Sequence, residues 1–375
     1  MTTGVTEGLD LVAVIMAGGA GTRFWPLSTE KRPKQFLSLF GDKSLLRMSY
    51  ERVSGLAPPE RLLVLTNRNF LPLVMEQLPE VPPINVVGEP LRRDTAAAIT
   101  LASLICRERF GDPLMLVLTA DHLIEPLELF HKTALSALKA AKDDEVLYTF
   151  GIRPTYAATG YGYLELGKMV LEDGGIGHYE VMTFKEKPDR ETAEEYLRSG
   201  RFLWNSGMFA WRTTVILEEI ERYLPGHLQA LEQAMKYYGR EGWEGELEKA
   251  FSSIDPISID YGVMERAERV RCVAASFRWS DVGGWLALKE YMEEDGEGNL
   301  YRGKLLALDA SGNLVFCEDE EEQVALIGVK GLVVVRAGGR TLIVPQERTE
   351  EVKRLLEEAG KKVLDKGGRL NQSKL

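Results

Sequence analysis

The stretch from Ala17 to Phe36, AGGAGTRFWPLSTEKRPKQF, carries the densest chemistry in the chain. Gly18, Gly19 and Gly21 let backbone N–H groups approach a polyphosphate closely, and Thr22 follows them. Arg23 and Lys34 add two cations on a segment whose freedom Pro26 and Pro33 restrict. The preceding run LVAVIM, Leu11 to Met16, has the length and apolarity of a fully buried parallel strand. Strand, glycine loop and paired cations describe a nucleoside triphosphate site. The sequence from Gly19 to Phe24 is G-A-G-T-R-F, so the third glycine of a dinucleotide fingerprint is missing. No G-x-x-x-x-G-K-[ST] occurs, which argues against a P-loop. A strand-to-helix turn rich in glycine would fit the loop alone equally well; the cations tilt the reading to phosphate.

Carboxylates come next. LTADHLI places Asp121 just past an apolar run, where it could help hold Mg²⁺, a hard cation that takes one or two carboxylates plus phosphate oxygens. A single aspartate in that position reads more readily as a cap or a salt-bridge partner. WSDVGGW offers Asp281, with glycines behind it and tryptophans on either side. His122 is adjacent to Asp121, but four histidines without ligand spacing do not predict zinc. FKEKP puts Glu186 and Lys187 at a strand end, where alternation predicts side chains on opposite faces. Taken bare, that segment is an exposed charged strand end. FLWNSGMFAWR reads as an aromatic strand whose Trp204 and Phe209 belong to a core.

These groups need a frame. Up to about residue 150, short β-rich runs (RLLVLT, INVV, LMLVLT, VLYTF) alternate with helical segments such as SLLRMSYERV, DTAAAITLASLICRERF and EPLELFHKTALSALKAAK. Asp94 is the expected N-cap of the second helix, and Pro126 suits the first turn of the third. The alternation predicts an α/β fold, a Rossmann-like, mostly parallel sheet with helices on both faces. Ligands in such sheets bind beyond the carboxyl ends of the strands, the edge at which both the glycine loop and Asp121 follow strands. From 151 to about 290 the pattern is mixed, and beyond 300 it is a glycine-punctuated β region closed by ERTEEVKRLLEEAG, a helix. No strict repeat is read there.

A chain of 375 residues is longer than one core usually grows, so a large domain plus a smaller one is expected. Its 45% hydrophobic and 27% charged content is that of a globular enzyme, and a net charge of −11 argues against a nucleic-acid partner. Cys106, Cys272 and Cys317 lie far apart without a C-x-x-C pair, which predicts reduced thiols. No basic leader and no apolar stretch of spanning length is visible, so a soluble, cytoplasmic protein without a membrane partner is expected.

GGAGTRFWPLSTEKRPK, GEPLRRDTAAAI, LTADHLI, FKEKP, WNSGMF and WSDVGGW occur in that order, and with them the chain resembles the sugar-1-phosphate nucleotidyltransferases, specifically the mannose-1-phosphate guanylyltransferases. The resemblance implies a nucleotidyltransferase catalytic domain over 1–295 and a small β-rich, β-helix-like domain with its closing helix over 296–375, the latter involved in homodimer contacts. It implies Asp121 and Asp281 as Mg²⁺ ligands, Glu186 for sugar hydroxyls and Lys187 for the sugar phosphate. Asn205 and Gly207 are implied near the hexose, and Gly162 would let it approach. Gly18, Gly19, Gly21 and Thr22 are implied for the nucleotide phosphates, with Arg23, Lys34 and Lys187 as the catalytic cations. GEPLRRDTAAAI matches the base-binding block, with Glu89, Arg93 and Thr95 as nucleotide contacts. A carboxylate at Glu89 can accept from both N1–H and the N2 amino group of guanine, although backbone groups could do the same. Many relatives have Asn where this chain has Asp94; an acid facing the nucleotide would oppose phosphate, so capping or a ribose contact is the safer role.

The implied reaction joins GTP and α-mannose 1-phosphate into GDP-mannose and pyrophosphate, by in-line attack of the sugar phosphate on the α-phosphorus. A uridylyl- or thymidylyltransferase acting on glucose 1-phosphate shares the phosphate chemistry, and a silent nucleotide-sugar sensor shares the fold. The complete set of cations and acids disfavours the sensor, and the missing glycine disfavours an NAD-dependent oxidoreductase. The longer bifunctional relatives with an added sugar-isomerase domain are also disfavoured, since the chain ends too early for one.

Overall fold

The first apolar run is buried on both of its faces. In the computed structural model, which describes residues 8–19 and 21–367 with side chains through 359, Leu11–Ala17 forms β1. Val12 and Val14 join a core beneath one helical layer, and Ala13 and Ile15 are equally buried on the opposite face. Each fully buried Val, Leu or Ile contributes about 1.5–3 kcal/mol, which is why such a strand is apolar at every position. Beside β1 lie β2 (Leu62–Asn67), β3 (Val86–Glu89) and β4 (Leu114–Thr119), and the four pair in parallel in the order β3-β2-β1-β4.

The sheet continues as β9-β6-β10-β8-β7 to a total of nine strands. These are β6 (Leu147–Ile152), β7 (Tyr163–Asp173), β8 (Ile176–Lys185), β9 (Phe202–Arg212) and β10 (Val270–Ala274). Here only β6 and β10 pair in parallel; β9 runs antiparallel to both β4 and β6. The sheet is thus parallel in the half the alternating pattern predicted and mixed in the half where the pattern blurred. A separate ribbon pairs β5 (Leu123–Glu125) with β11 (Arg278–Ser280).

Helices cover both faces. After α1 (Leu45–Ser54) and α2 (Leu71–Gln77) comes α3 (Asp94–Phe110), followed by α4 (Leu127–Asp143), α5 (Arg190–Ser199), α6 (Thr213–Tyr223), α7 (Pro225–Met235) and α8 (Trp243–Ser253). α3 packs with α6 and α7, while α4 lies against β4, β5, β6, β9 and β10. Asp94 is the first residue of α3 rather than the residue before it, and its Oδ1 accepts from the N–H of Thr95 at 2.8 Å. Pro126 stands just ahead of α4 instead of in its first turn.

Two compact units result: one takes the residues up to Gly18 with Leu46–Asp281, the other Gly19–Leu45 with the residues from Val282 onward. The anticipated cut at 295/296 falls inside the second unit, and the outer ends of both anticipated spans lie outside the described residues. An aromatic cluster holds the second unit's segments together. Phe24 packs edge-on to Trp285 at 5.0 Å between ring centroids, and Trp285 packs on Phe316 at 5.1 Å, all three being almost fully buried.

The rest of this unit comprises β12 (Glu293–Glu294), β13 (Leu300–Arg302), β14 (Lys304–Leu308), β15 (Leu314–Cys317), β16 (Gln323–Ile327), β17 (Leu332–Ala337), β18 (Arg340–Pro345) and the closing α9 (Val352–Gly367). β13, β15 and β17 stack in parallel, as do β14 and β16, the signature of a coiled β-solenoid. Buried asparagines tie the coils: Asn299 Oδ1 accepts from the backbone N–H of Asn313 at 3.0 Å, and Asn313 Oδ1 accepts from Leu332 N–H at 2.9 Å. Cys106, Cys272 and Cys317 are free and buried.

Candidate active site

One corner of the large unit gathers four of the expected residues. Gly162 lies opposite Asn205, whose N–H donates to the Gly162 carbonyl at 2.8 Å. A Cβ on Gly162 would come within 2.3 Å of Glu186 Oε2 and 3.3 Å of Asn205 Cβ, so only glycine lets the Glu186 carboxylate pack this closely. Glu186 and Lys187 follow β8, and their side chains meet, with Lys187 Nζ 3.2 Å from Glu186 Oε1. The expected opposite facing does not hold, because Lys187 leaves the extended conformation. Its φ of +47° is left-handed and breaks the alternation that a continuing strand would impose. Burial raises the Glu186 carboxyl above its ordinary range, with Lys187 opposing the rise. Burial works to lower Lys187, yet the Glu186 carboxylate outweighs it and holds the ammonium above its usual value. Glu186 Oε2 is buried with no hydrogen-bond partner. A carboxylate oxygen in that state costs free energy until a donor reaches it.

Asn205 and Gly207 sit on a bulge where β9 carries extra residues against β6 between Thr149 and Gly151. Gly207 makes the bulge with φ +68°, a conformation that favours glycine. Asn205 Oδ1 accepts from Thr149 Oγ1 at 2.8 Å and from Gly207 N–H at 3.2 Å, and its Nδ2 donates to Asp260 Oδ1 at 2.8 Å. Burial, reinforced by the Glu186 carboxylate, pushes Asp260 up to about 7.

The two aspartates share one end of the β5–β11 ribbon. The last paired residues are Leu123 and Ser280; one step beyond lie His122 on one strand and Asp281 on the other, with Asp121 next. Tyr161 donates its hydroxyl to Asp281 Oδ1 at 2.7 Å, and its ring packs on Trp204 and Trp279. Burial first, and Asp281 second, keep that hydroxyl protonated. Trp279 Nε1–H donates to His122 Nδ1 at 3.1 Å, and since indole only donates, the ring proton of neutral His122 sits on Nε2. Beneath the turn, Arg52 is 3% exposed and donates to the His122 carbonyl at 2.9 Å and to Ser49 Oγ at 3.1 Å. Two hard carboxylates at one ribbon end are a donor set of the kind that Mg²⁺ takes. Mg²⁺ keeps the rest of its coordination for phosphate oxygens and water.

Glu89 ends β3 beside the end of β1, its Oε2 only 3.3 Å from where a Gly18 Cβ would lie. It is 9% exposed, and burial, with Asp94 adding repulsion, raises its carboxyl from 4.5 to about 8. Of its block, Arg93 donates Nε–H to the Phe251 carbonyl at 2.6 Å, and Thr95 Oγ1 accepts from Ile259 N–H at 2.8 Å. Both side chains brace the start of α3.

In the smaller unit, Gly21 has φ +55°, and a Cβ there would lie 2.3 Å from Lys34 Cβ; glycine lets the loop press against the KRPK segment. Gln35 Nε2 donates to the Gly19 carbonyl at 3.1 Å, fastening the same two stretches. Thr22–Phe24 forms a 3₁₀ turn carrying Arg23, which is half-exposed, pairs with Glu350 Oε2 at 3.1 Å and reaches the Gly283 carbonyl at 3.4 Å. Lys34 is buried.

Sequence reasoning did not single out Asp260, Tyr161, Thr149 or Arg52. Tyr161 directly precedes the implied Gly162, but nothing in the local spelling of the other three distinguishes them from ordinary cap, strand or helix residues.

A family model described as nucleotidyl transferase matches residues 12–298, and one described as MannoseP isomerase/GMP-like beta-helix domain matches residues 303–358. The chain is 40% identical over 350 residues to a mannose-1-phosphate guanylyltransferase of Klebsiella pneumoniae, covering 92% of this chain and 73% of the relative. It is 37% identical over 350 residues to the xanthan biosynthesis protein XanB of Xanthomonas campestris pv. campestris (strain B100), with the same 92% and 73% coverage. A crystal structure from Thermus thermophilus, described as a mannose-1-phosphate geranyltransferase, superposes with a TM-score of 0.81 at 37% identity, over 94% of this chain and 99% of that one.

Proposed function

Because this chain belongs to the nucleotidyl transferase family and makes GDP-mannose by nucleotidyl transfer, as its similarity to mannose-1-phosphate guanylyltransferases indicates, we propose the following division of labour among its residues. The substrates are GTP and α-D-mannose 1-phosphate. A phosphate oxygen of the sugar attacks the α-phosphorus in line, the bond to the bridging oxygen breaks, and pyrophosphate leaves. Nucleophile and electrophile are both anionic, so the barrier is chiefly electrostatic and positioned cations lower it. The sugar phosphate is already ionised at neutral pH; no general base and no covalent intermediate are required.

Arg23 and Lys34, with the backbone N–H groups of Gly18, Gly19, Gly21 and Thr22, serve the triphosphate. Lys187 serves the sugar phosphate and Glu186 the sugar hydroxyls, with Gly162, Asn205 and Gly207 shaping their niche. Glu89 meets the guanine edge, while Arg93 and Thr95 hold the block that presents it. Asp121 and Asp281 would hold Mg²⁺, which when bound neutralises phosphate charge. The observation that supports the sugar half of this reading is Oε2 of Glu186, buried against Gly162 with no hydrogen-bond partner. A polyol hydroxyl satisfies that oxygen; a bare phosphate would be repelled by it.

Two further parts of the proposal concern the whole molecule. Leu306, Leu308 and Ile327 are 55%, 60% and 71% exposed on the paired strands β14 and β16, with Leu308 directly beside Ile327, a surface consistent with a homodimer. No described helix is long and apolar enough to cross a membrane, in keeping with work in the cytoplasm. Pyrophosphate release measured for GTP, UTP and dTTP against mannose and glucose 1-phosphates tests the function. The reading expects GTP with mannose 1-phosphate to dominate; faster turnover of UTP or dTTP with glucose 1-phosphate overturns it.

A further inference from the structure

Asn205 is held so tightly that its amide has a single orientation. Two donors, Thr149 Oγ1 at 2.8 Å and Gly207 N–H at 3.2 Å, converge on Oδ1, so the oxygen must face them and the NH₂ group must face Asp260. The Asn205 side chain is almost entirely buried. An amide locked in this way fixes one oxygen of the Asp260 carboxyl and thereby the direction of the whole group.

The group it aims stands in a particular field. Asp260 lies within electrostatic reach of the Glu186 carboxyl and the Lys187 ammonium. Glu186 spends Oε1 on Lys187 and keeps Oε2 buried without a partner. Two acids sharing one cation in a poorly hydrated corner disfavour full ionisation, which is the physical content of both being raised. Neighbouring hydroxyls fit such a pair well, since each can donate to a carboxylate and accept from a carboxyl that keeps its proton. An anion would be repelled by the pair and attracted only by Lys187.

We infer that Asp260 is a specificity-determining residue that contacts hydroxyls of the hexose, and that Asn205 is the positioning residue that aims it. The inference rests on the sugar site proposed above. It differs from a purely structural role, in which Asp260 would merely fasten its short helical turn, Asp260–Met264, to β9.

Steady-state kinetics with both substrates varied decides the matter. Asp260→Asn keeps an acceptor for Asn205 Nδ2 at nearly the same size and removes only the acid. The expected result is a KM for mannose 1-phosphate raised about tenfold or more, the scale of one lost hydrogen bond to a charged group, with the KM for GTP within about twofold and an undiminished melting temperature. Asn205→Asp keeps acceptors for Thr149 and Gly207 but opposes Asp260, and is expected to raise the same KM selectively. A folded Asp260→Asn whose sugar KM stays within about twofold overturns the inference, as does an equal rise in both KM values. A lowered melting temperature with an unaltered sugar KM assigns a structural role and also overturns it. Should the unmodified protein fail to turn over mannose 1-phosphate, the reading of the function itself falls, which separates that failure from one confined to the variants.

Discussion

Replacing Glu89 with glutamine tests whether this buried acid reads guanine through its ionised form. The free protein holds the carboxyl near 8, so at pH 7 about one molecule in ten carries the charge. Accepting from guanine N1–H and N2–H requires the carboxylate, and ionising it at pH 7 costs about 1.4 kcal/mol, one pH unit below its midpoint. GTP binding should therefore expel close to one proton at pH 7 and almost none at pH 9. Calorimetric titrations in buffers of differing ionisation enthalpy measure that number directly, and the same titrations on Glu89→Gln subtract the nucleotide's own ionisations. The variant should bind GTP about a hundredfold more weakly at pH 8.5, because a neutral amide presents one acceptor where the carboxylate presented two charged ones. Stability supplies the cross-check. The folded protein retains this proton where the unfolded chain has lost it, so the Glu89 contribution to stability falls as pH rises from about 4.5 to about 8. Glu89→Gln should accordingly raise the melting temperature at pH 9 while leaving it little changed at pH 4. If wild type and variant expel the same number of protons on binding GTP, Glu89 does not meet the base and the assignment is withdrawn.

Arg23→Ala should lower kcat by roughly 10²-fold or more, the scale of one lost transition-state donor; unchanged turnover removes Arg23 from the mechanism. Asp121→Asn and Asp281→Asn should each shift the Mg²⁺ dependence of turnover to higher concentration, and an unaltered Mg²⁺ titration in both variants refutes the metal assignment. Glu350→Gln frees Arg23 from an ion pair whose partners are 52% and 70% exposed, so the KM for GTP should fall, by at most about fivefold. A rise in that KM would mean that Glu350 positions Arg23 rather than competing with phosphate.

The parallel half of the sheet was legible because strands buried on both faces must be apolar throughout, and LVAVIM, RLLVLT and LMLVLT are. The contents of the sugar corner were legible as motifs, but their mutual arrangement was not. The meeting of Glu186 with Lys187 depends on a non-glycine residue in the left-handed region, which no spelling of FKEKP announces. Asp260 reaches the same corner through a tertiary hydrogen bond from a strand 55 positions earlier in the chain. The β-helix-like domain was expected from the resemblance, but its repeat was not read in the residues themselves. Gly298-Asn299-Leu300 and Gly312-Asn313-Leu314 are the same three letters at equivalent points of successive coils, and Gly331-Leu332 begins a third without the asparagine. Two copies of so short a word, the third incomplete, fall below what a search for strict repeats registers.

Those asparagines also set the terms on which this domain can change its length. Each amide meets the main chain of the next layer and so fixes which strand residues face one another, while the corners between them vary: Leu300 pairs with Leu314, but Leu314 pairs with the more distant Val333. Adding or deleting a whole layer would hand every amide an equivalent neighbour. Inserting one residue within a paired strand such as β15 would instead swing the side chains after it to the opposite face.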